Sequence, residues 1–247
     1  MILFSVFYWV FFLLTLPILF VPAVVIWLVT IPFDRRRVLL HLYSCLWGCF
    51  YIYMSPIWKV RVSGRHRVPW RGSVVIVTNH ASLVDILVLF ALYRPYKWVS
   101  KQSNFKLPII GWLMRMNRYV PLVRGNRESI LRMMEICRNY LNSGSSVLIF
   151  PEGTRSKTAD LQPFKNGAFQ LAMDTRRPIV PVAVSGTARS LPKHGLILRD
   201  TMDAHVDILE PLLPQDFENH EQLRDAAHAA IADALRGRIP RELDEAV

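Results

Sequence analysis

The sequence predicts an α/β fold, a mainly parallel central sheet flanked by helices and preceded by an N-terminal membrane-embedded helical element. Two observations predict it. From residue 59 onward, short β-branched runs alternate with stretches of helical periodicity, the pattern of strand–helix–strand units. Before that, residues 1–33 contain no charged side chain at all. A chain of 247 residues has room for one sizeable α/β domain and an appendage. The expected division is a membrane-embedded part over 1–58, the α/β domain over 59–236, and a loose tail over 237–247.

Taken as one helix, residues 1–33 would be roughly 50 Å long, against a hydrocarbon core of about 30 Å. Pro17 and Pro22 are expected to kink or divide it. The segment lacks a basic start and is too long for a signal-peptide core, so it reads as a retained anchor. Asp34-Arg35-Arg36-Arg37 follows, then a second uncharged segment over 38–58, then Lys59, Arg61, Arg65, Arg67 and Arg71. Both basic clusters favour the cytoplasmic side, so 38–58 is expected to dip into the membrane or lie at its interface and return. Trp9, Trp27, Trp47 and Trp58 suit either interface anchors or packing residues, and His41 suits a hydrogen-bonded packing residue.

The net charge is +11, yet the mean hydropathy is +0.23. Basic and apolar together point to a protein at an anionic lipid surface. Nucleic-acid binding is disfavoured, because no set of base-stacking aromatics interleaves with the cations. Three cysteines, two of them in the apolar segment 38–58, make no disulfide framework and fit a reducing compartment.

Strands are expected at 58–62, 73–78, 97–100, 118–123, 146–150 and 178–184, and helices at 82–93, 127–142 and 165–175. On the 127–142 helix, Ile130, Met134, Cys137 and Leu141 form an apolar seam, and Gly144 is placed to end it. Residues 218–236 read as an amphipathic helix with Leu223, Ala227, Ile231 and Leu235 on one face. His205, His220 and His228 show no metal-ligand spacing, and no metal site is expected.

The run at 74–77 is bounded by Gly72 and Asn79 and ends in His80, with Asp85 five positions on. Five residues is about 140° around a helix, so the two cannot share a helical face. His80 therefore precedes the helix and Asp85 reaches back from its first turn, where a carboxylate would fix the imidazole tautomer. Ser82-Leu83-Val84-Asp85 is also a capping-box pattern, which would give Asp85 a structural task instead.

Charged and small residues collect just past the ends of the other strands. The strand at 97–100 runs into Lys101, and that at 118–123 into Arg124. The strand at 146–150 runs into Pro151-Glu152-Gly153-Thr154-Arg155, and that at 178–184 into Ser185-Gly186-Thr187. In a parallel sheet these carboxyl ends face one edge, where open α/β sheets bind ligands. A base, an acid and three cations would meet there, and the cations suit a phosphate.

Asn79-His80 with Asp85, followed by Phe150-Pro151-Glu152-Gly153-Thr154-Arg155-Ser156, resembles the glycerolipid acyltransferase family, specifically 1-acylglycerol-3-phosphate acyltransferases. Val120-Pro121-Leu122-Val123-Arg124 and Ile179-Val180-Pro181-Val182 match further blocks, and the likeness runs from about 59 to 212. Gln102-Ser103-Asn104, between Lys101 and Leu107-Pro108, departs from the family's usual charged pattern. The resemblance implies that His80 is the base and Asp85 its partner. Lys101, Arg124 and Arg155 would hold the acceptor's phosphate, and Glu152, Gly153 and Thr154 would complete the acceptor site.

The implied reaction moves a fatty acyl group from acyl-CoA or acyl carrier protein to the 2-hydroxyl of lysophosphatidate, at a membrane and facing the cytoplasm. A histidine with the ordinary pKa near ~6.5 can take the alcohol's proton. A thioester is already activated, so no cofactor is expected, and without a Gly-x-Ser-x-Gly turn direct transfer is the economical route. Backbone N–H groups near the two motifs are candidates for holding the oxyanion. The competing readings are another acceptor, such as a lyso-ornithine lipid or lysophospholipid, a membrane-tethered basic lipid-binding module without catalysis, and a hydrolase in which His80 activates water.

Overall fold

The computed structural model describes residues 2–156, 160–188, 190–191, 197–198 and 201–238. Its strands are β1 (Trp58–Ser63), β2 (Val75–Thr78), β3 (Tyr96–Lys101), β4 (Val120–Leu122), β5 (Ser146–Ile149), β6 (Ile179–Ser185) and β7 (Met202–Ile208). They form one sheet in the order β1-β7-β6-β2-β5-β3-β4, and every neighbouring pair is parallel except β6 with β7. Six strands lie where the sequence places them. The seventh, β7, was not expected; its apolar residues alternate with Asp203, His205 and Asp207, so only one face is fully buried.

The helices are α1 (Ile2–Thr30), α2 (Val38–Tyr53), α3 (Val84–Phe90), α4 (Ile110–Met116), α5 (Arg127–Asn142), α6 (Gly167–Thr175) and α7 (His220–Arg236). The central strands β2 and β5 are buried along their whole length, as a parallel sheet covered on both faces requires. Ile76, Leu148 and Val180 point into a core shared with α1, α2 and α3. Val75, Val77, Val147 and Ile179 point into a second core shared with α5, α6 and α7. The short helix α4, also absent from the sequence expectation, links β3 to β4.

On α5 the buried residues are Met133, Cys137 and Leu141; Ile130 is exposed and Met134 only partly covered, so the seam lies slightly around the helix from its expected position. On α7, Leu223, Ala227 and Ile231 are fully buried, with Leu235 beside them. The three cysteines are buried and free.

Helix α1 runs unbroken through Pro17 and Pro22, so neither divides it. It is 29 residues long, roughly 43 Å, and is gripped from one side along that length. Near its start the Ser5 hydroxyl accepts a hydrogen bond from the Leu198 N–H (2.9 Å), and Tyr8 donates to the Tyr51 carbonyl (3.0 Å). Just past its end, Asp34 caps α2 by accepting from the N–H groups of Val38 (2.9 Å) and Leu39 (2.8 Å). The opposite face carries exposed Phe7, Val10, Leu14, Val21, Val25 and Leu28, a helical stripe open to the surroundings. Trp47 and Trp58 are buried, and Trp9 and Trp27 pack partly buried against the core, so these tryptophans serve packing. His41 is likewise a buried packing residue, bonded to the Tyr119 hydroxyl (2.8 Å) and the Arg94 carbonyl (3.0 Å).

Candidate active site

The site forms where β2 and β5, paired through Val77 and Ile149, release their chains side by side. Asn79 leaves β2 and locks its end to β6: its amide donates to the Val184 carbonyl and its oxygen accepts from the Val184 N–H, both at 2.8 Å. His80 follows. Its Nδ1 lies 2.9 Å from Asp85 Oδ2. The same oxygen accepts from the N–H groups of Ala81 and Ser82, both at 2.8 Å, while Oδ1 accepts from the Thr187 hydroxyl at 2.5 Å.

Four donors thus converge on a carboxylate with no solvent exposure, which compensates the cost of burying its charge. Because a carboxylate only accepts, the Nδ1 carries the proton and Nε2 keeps its lone pair. No described residue bonds to that Nε2. Asp85 therefore holds the imidazole and also closes the turn at 81–82, so the structural and chemical readings of this residue coexist.

The imidazole stacks on Phe150, with ring centroids 4.1 Å apart and planes 24° apart, and Phe150 in turn stacks on Trp98 at 5.9 Å. Two reciprocal bonds stitch the Pro-Glu-Gly turn to the histidine. The His80 N–H donates to Glu152 Oε1 (2.7 Å), and the Ser156 N–H donates to the His80 carbonyl (2.9 Å). Glu152 is buried at 5% exposure beneath His80, and burial pushes its carboxyl up to about 7. The structure therefore uses Glu152 to hold the His80 backbone. The N–H groups of His80, Ala81, Ser82, Gly153 and Ser156 are all committed internally, which removes them as oxyanion donors.

Gly153 turns the chain at φ +73°, and a Cβ there would meet the Lys165 Nζ at 2.8 Å. The positive φ is what favours glycine here, and the Lys165 ammonium lies over the turn. Arg155 follows on the same turn, with Thr154 exposed between them. Partial enclosure and, after it, the neighbouring Arg155 charge hold the Arg124 guanidinium below its ordinary range. Arg124 and Arg155 are thus close enough to repel, and an anion between them would relieve that repulsion. Lys101 ends β3, exposed, and β5 separates that strand from β2. No hydrogen bond or ion pair among the described residues ties Lys101 to the histidine turn.

Lys165 and Thr187 are the residues that sequence reasoning missed. Thr187 stood at a strand end, and Lys165 stood in Phe164-Lys165-Asn166-Gly167, but spacing reveals no partner so far along the chain. No group of three or more His, Cys, Asp or Glu side chains among the described residues could hold a metal ion.

An imidazole steadied by a buried carboxylate, beside a cluster of cations at the carboxyl edge of a parallel sheet, is suited to take a proton from a hydroxyl while holding an anion. Residues 59–185 match the family described as Acyltransferase. A Chlamydomonas reinhardtii protein named 1-acyl-sn-glycerol-3-phosphate acyltransferase is 39% identical over 226 residues, covering 91% of this chain and 67% of the relative. A chloroplastic protein of that name from Brassica napus is 37% identical over 205 residues, covering 82% and 58%. One from Haemophilus influenzae is 30% identical over 202 residues, covering 78% and 80%. The crystal structure of the 1-acyl-sn-glycerophosphate (LPA) acyltransferase PlsC from Thermotoga maritima shares the fold, with a TM-score of 0.77, 24% identity and coverage of 97% and 98%. The chain belongs to the acyltransferase family. It spans only 58–67% of the length of the Chlamydomonas and Brassica relatives.

Proposed function

We propose that this chain transfers a fatty acyl group from a thioester to the 2-hydroxyl of 1-acylglycerol-3-phosphate, giving phosphatidate. The observation that carries the reading is the joining of the histidine turn to the Pro-Glu-Gly-Thr-Arg turn through the two bonds between Glu152, Ser156 and His80. That stitching sets a proton acceptor beside cations fit for a phosphate monoester. The relatives named for this activity support the same acceptor.

In the reaction, His80 Nε2 takes the proton of the acceptor hydroxyl as its oxygen attacks the thioester carbonyl. Asp85 stabilises the imidazolium that forms. Arg124, Arg155 and Lys165 hold the phosphate, and Lys101 extends the cationic rim. The tetrahedral intermediate collapses with departure of the thiolate, which recovers the proton from His80. No acyl-enzyme and no cofactor take part; the donor is acyl-CoA or acyl carrier protein.

Residues 1–58 serve as the membrane-facing part and 59–236 as the catalytic domain. Helix α1 lies along the domain with its apolar stripe outward, which suits immersion at the bilayer surface rather than a crossing. The Arg35–Arg37 turn and the cations from Lys59 onward support a domain face held against anionic lipid, and a site facing the cytoplasm is part of this reading.

The test is product formation by purified protein in vesicles, with lysophosphatidate, lysophosphatidylcholine and a lyso-ornithine lipid as acceptors, each with both donor types. Phosphatidate from lysophosphatidate alone is expected. Equal rates with the zwitterionic acceptors would contradict the phosphate cradle, and release of free fatty acid without lipid product would favour a hydrolase.

A further inference from the structure

Thr187 sits in none of the motifs that carry the family resemblance, and it lies 102 residues from Asp85 along the chain. Both side chains are buried, at 1% and 0% exposure, and the hydroxyl meets Oδ1 at 2.5 Å, a short charge-assisted bond. We propose that Thr187 is a positioning residue for acyl transfer, locking the Asp85 carboxylate in the rotation that presents Oδ2 to His80. The proposal rests on the reading of His80 as the base.

The carboxylate can turn about its own bond, and its two oxygens are treated unequally. Oδ2 accepts from the His80 ring and from two backbone N–H groups, whereas Thr187 is the donor at Oδ1. Without that hydroxyl one oxygen of a buried anion has no donor among the described residues, and a turned carboxylate that regains one loses its line to Nδ1. The placement of Thr187 is itself built in. Asn79 clamps Val184, three residues earlier, so the end of β6 is held to the end of β2. Gly186 then turns at φ +81° hard against β7, where a Cβ would meet the Asp203 carbonyl oxygen at 2.1 Å. The Ser190 N–H donates to the Thr187 carbonyl at 3.1 Å, and the Ser82 hydroxyl reaches the Leu191 carbonyl at 3.5 Å. The segment carrying Thr187 is therefore tied to the same turn that Asp85 closes.

Thr187→Val keeps shape and removes the donor; Thr187→Ser keeps the donor. Both variants, with His80→Ala beside them, are assayed as the full chain in vesicles over a range of lysophosphatidate concentrations, and thermal unfolding is recorded for each. The expected result for Thr187→Val is a kcat about 10- to 100-fold lower with unchanged acceptor KM, in a protein that unfolds somewhat below the wild type but stays fully folded at the assay temperature. Thr187→Ser is expected to restore kcat. A wild-type kcat in Thr187→Val, a Thr187→Ser variant as slow as the valine one, or a loss no larger than the fraction of protein unfolded at the assay temperature overturns the proposal. Full turnover by His80→Ala overturns the underlying base assignment instead, so the two failures are told apart.

Discussion

Replacing Asp85 by Asn separates the charge of this side chain from its shape. An amide oxygen in the place of Oδ2 still accepts from the Ala81 and Ser82 N–H groups, and the amide nitrogen can donate to the Thr187 oxygen. The turn therefore survives. What disappears is a negative charge about 4 Å from the imidazolium that forms during transfer, worth about 4 kcal/mol at an effective dielectric constant near ~20. That corresponds to a fall in kcat of about 10³-fold. Asp85→Ala differs in leaving two buried N–H groups without an acceptor, at about 1–3 kcal/mol each, so it should unfold at a lower temperature. The assay is phosphatidate formation at saturating acceptor, paired with thermal unfolding of all three proteins. An Asn variant that turns over at the wild-type rate would refute the electrostatic argument, and one as unstable as the Ala variant would show that Asp85 acts through the fold.

Three further perturbations test other parts of the geometry. Lys165→Ala should raise the acceptor KM about tenfold with little change in kcat, because it removes one charged contact to the phosphate; initial rates against lysophosphatidate decide, and an unchanged KM removes Lys165 from the cradle. Lys97 is buried with its ammonium donating to the Arg36 and Asn117 carbonyls at 2.7 Å, and burial lowers its pKa from 10.5 to about 7. The unfolded chain then holds more protons across that window, so the wild-type stability relative to Lys97→Met should rise from pH 7 toward pH 10, measured by denaturant unfolding; a flat difference contradicts it. On the outer face of α1, Val10→Glu with Leu14→Glu should weaken vesicle binding by more than about tenfold in flotation while the inner face keeps the helix docked; unchanged flotation would mean that this stripe does not meet lipid.

The central strands were legible because β2, β5 and β6 are buried on both faces and so read as β-branched runs bounded by Gly or Pro. Strand β7 escaped notice because Asp203, His205 and Asp207 break its apolar run, although its period-two alternation was itself a signal. Helix α4 has only 7 residues, too few to show a helical period. The α5 seam was displaced because the apolar spacing of Ile130 and Met134 competes with that of Met133, and only packing against α6 and the sheet selects between them. His80 and Asp85 were legible because their partnership is local. The contact of Thr187 with Asp85 and the path of Lys165 over Gly153 depend on which strands lie side by side, and the order of strands in a sheet is not written in any one stretch of sequence. Lys101 does lie at the end of β3, as the sequence places it.

The most direct measurement is single-turnover formation of phosphatidate by His80→Ala in vesicles at saturating lysophosphatidate and acyl thioester, with its thermal unfolding recorded beside the wild type. A folded, membrane-bound protein that forms no product is the predicted result. Product at the wild-type rate from that variant would mean that the proton leaves the acceptor by another route, and the role assigned to the 80–85 turn would not stand.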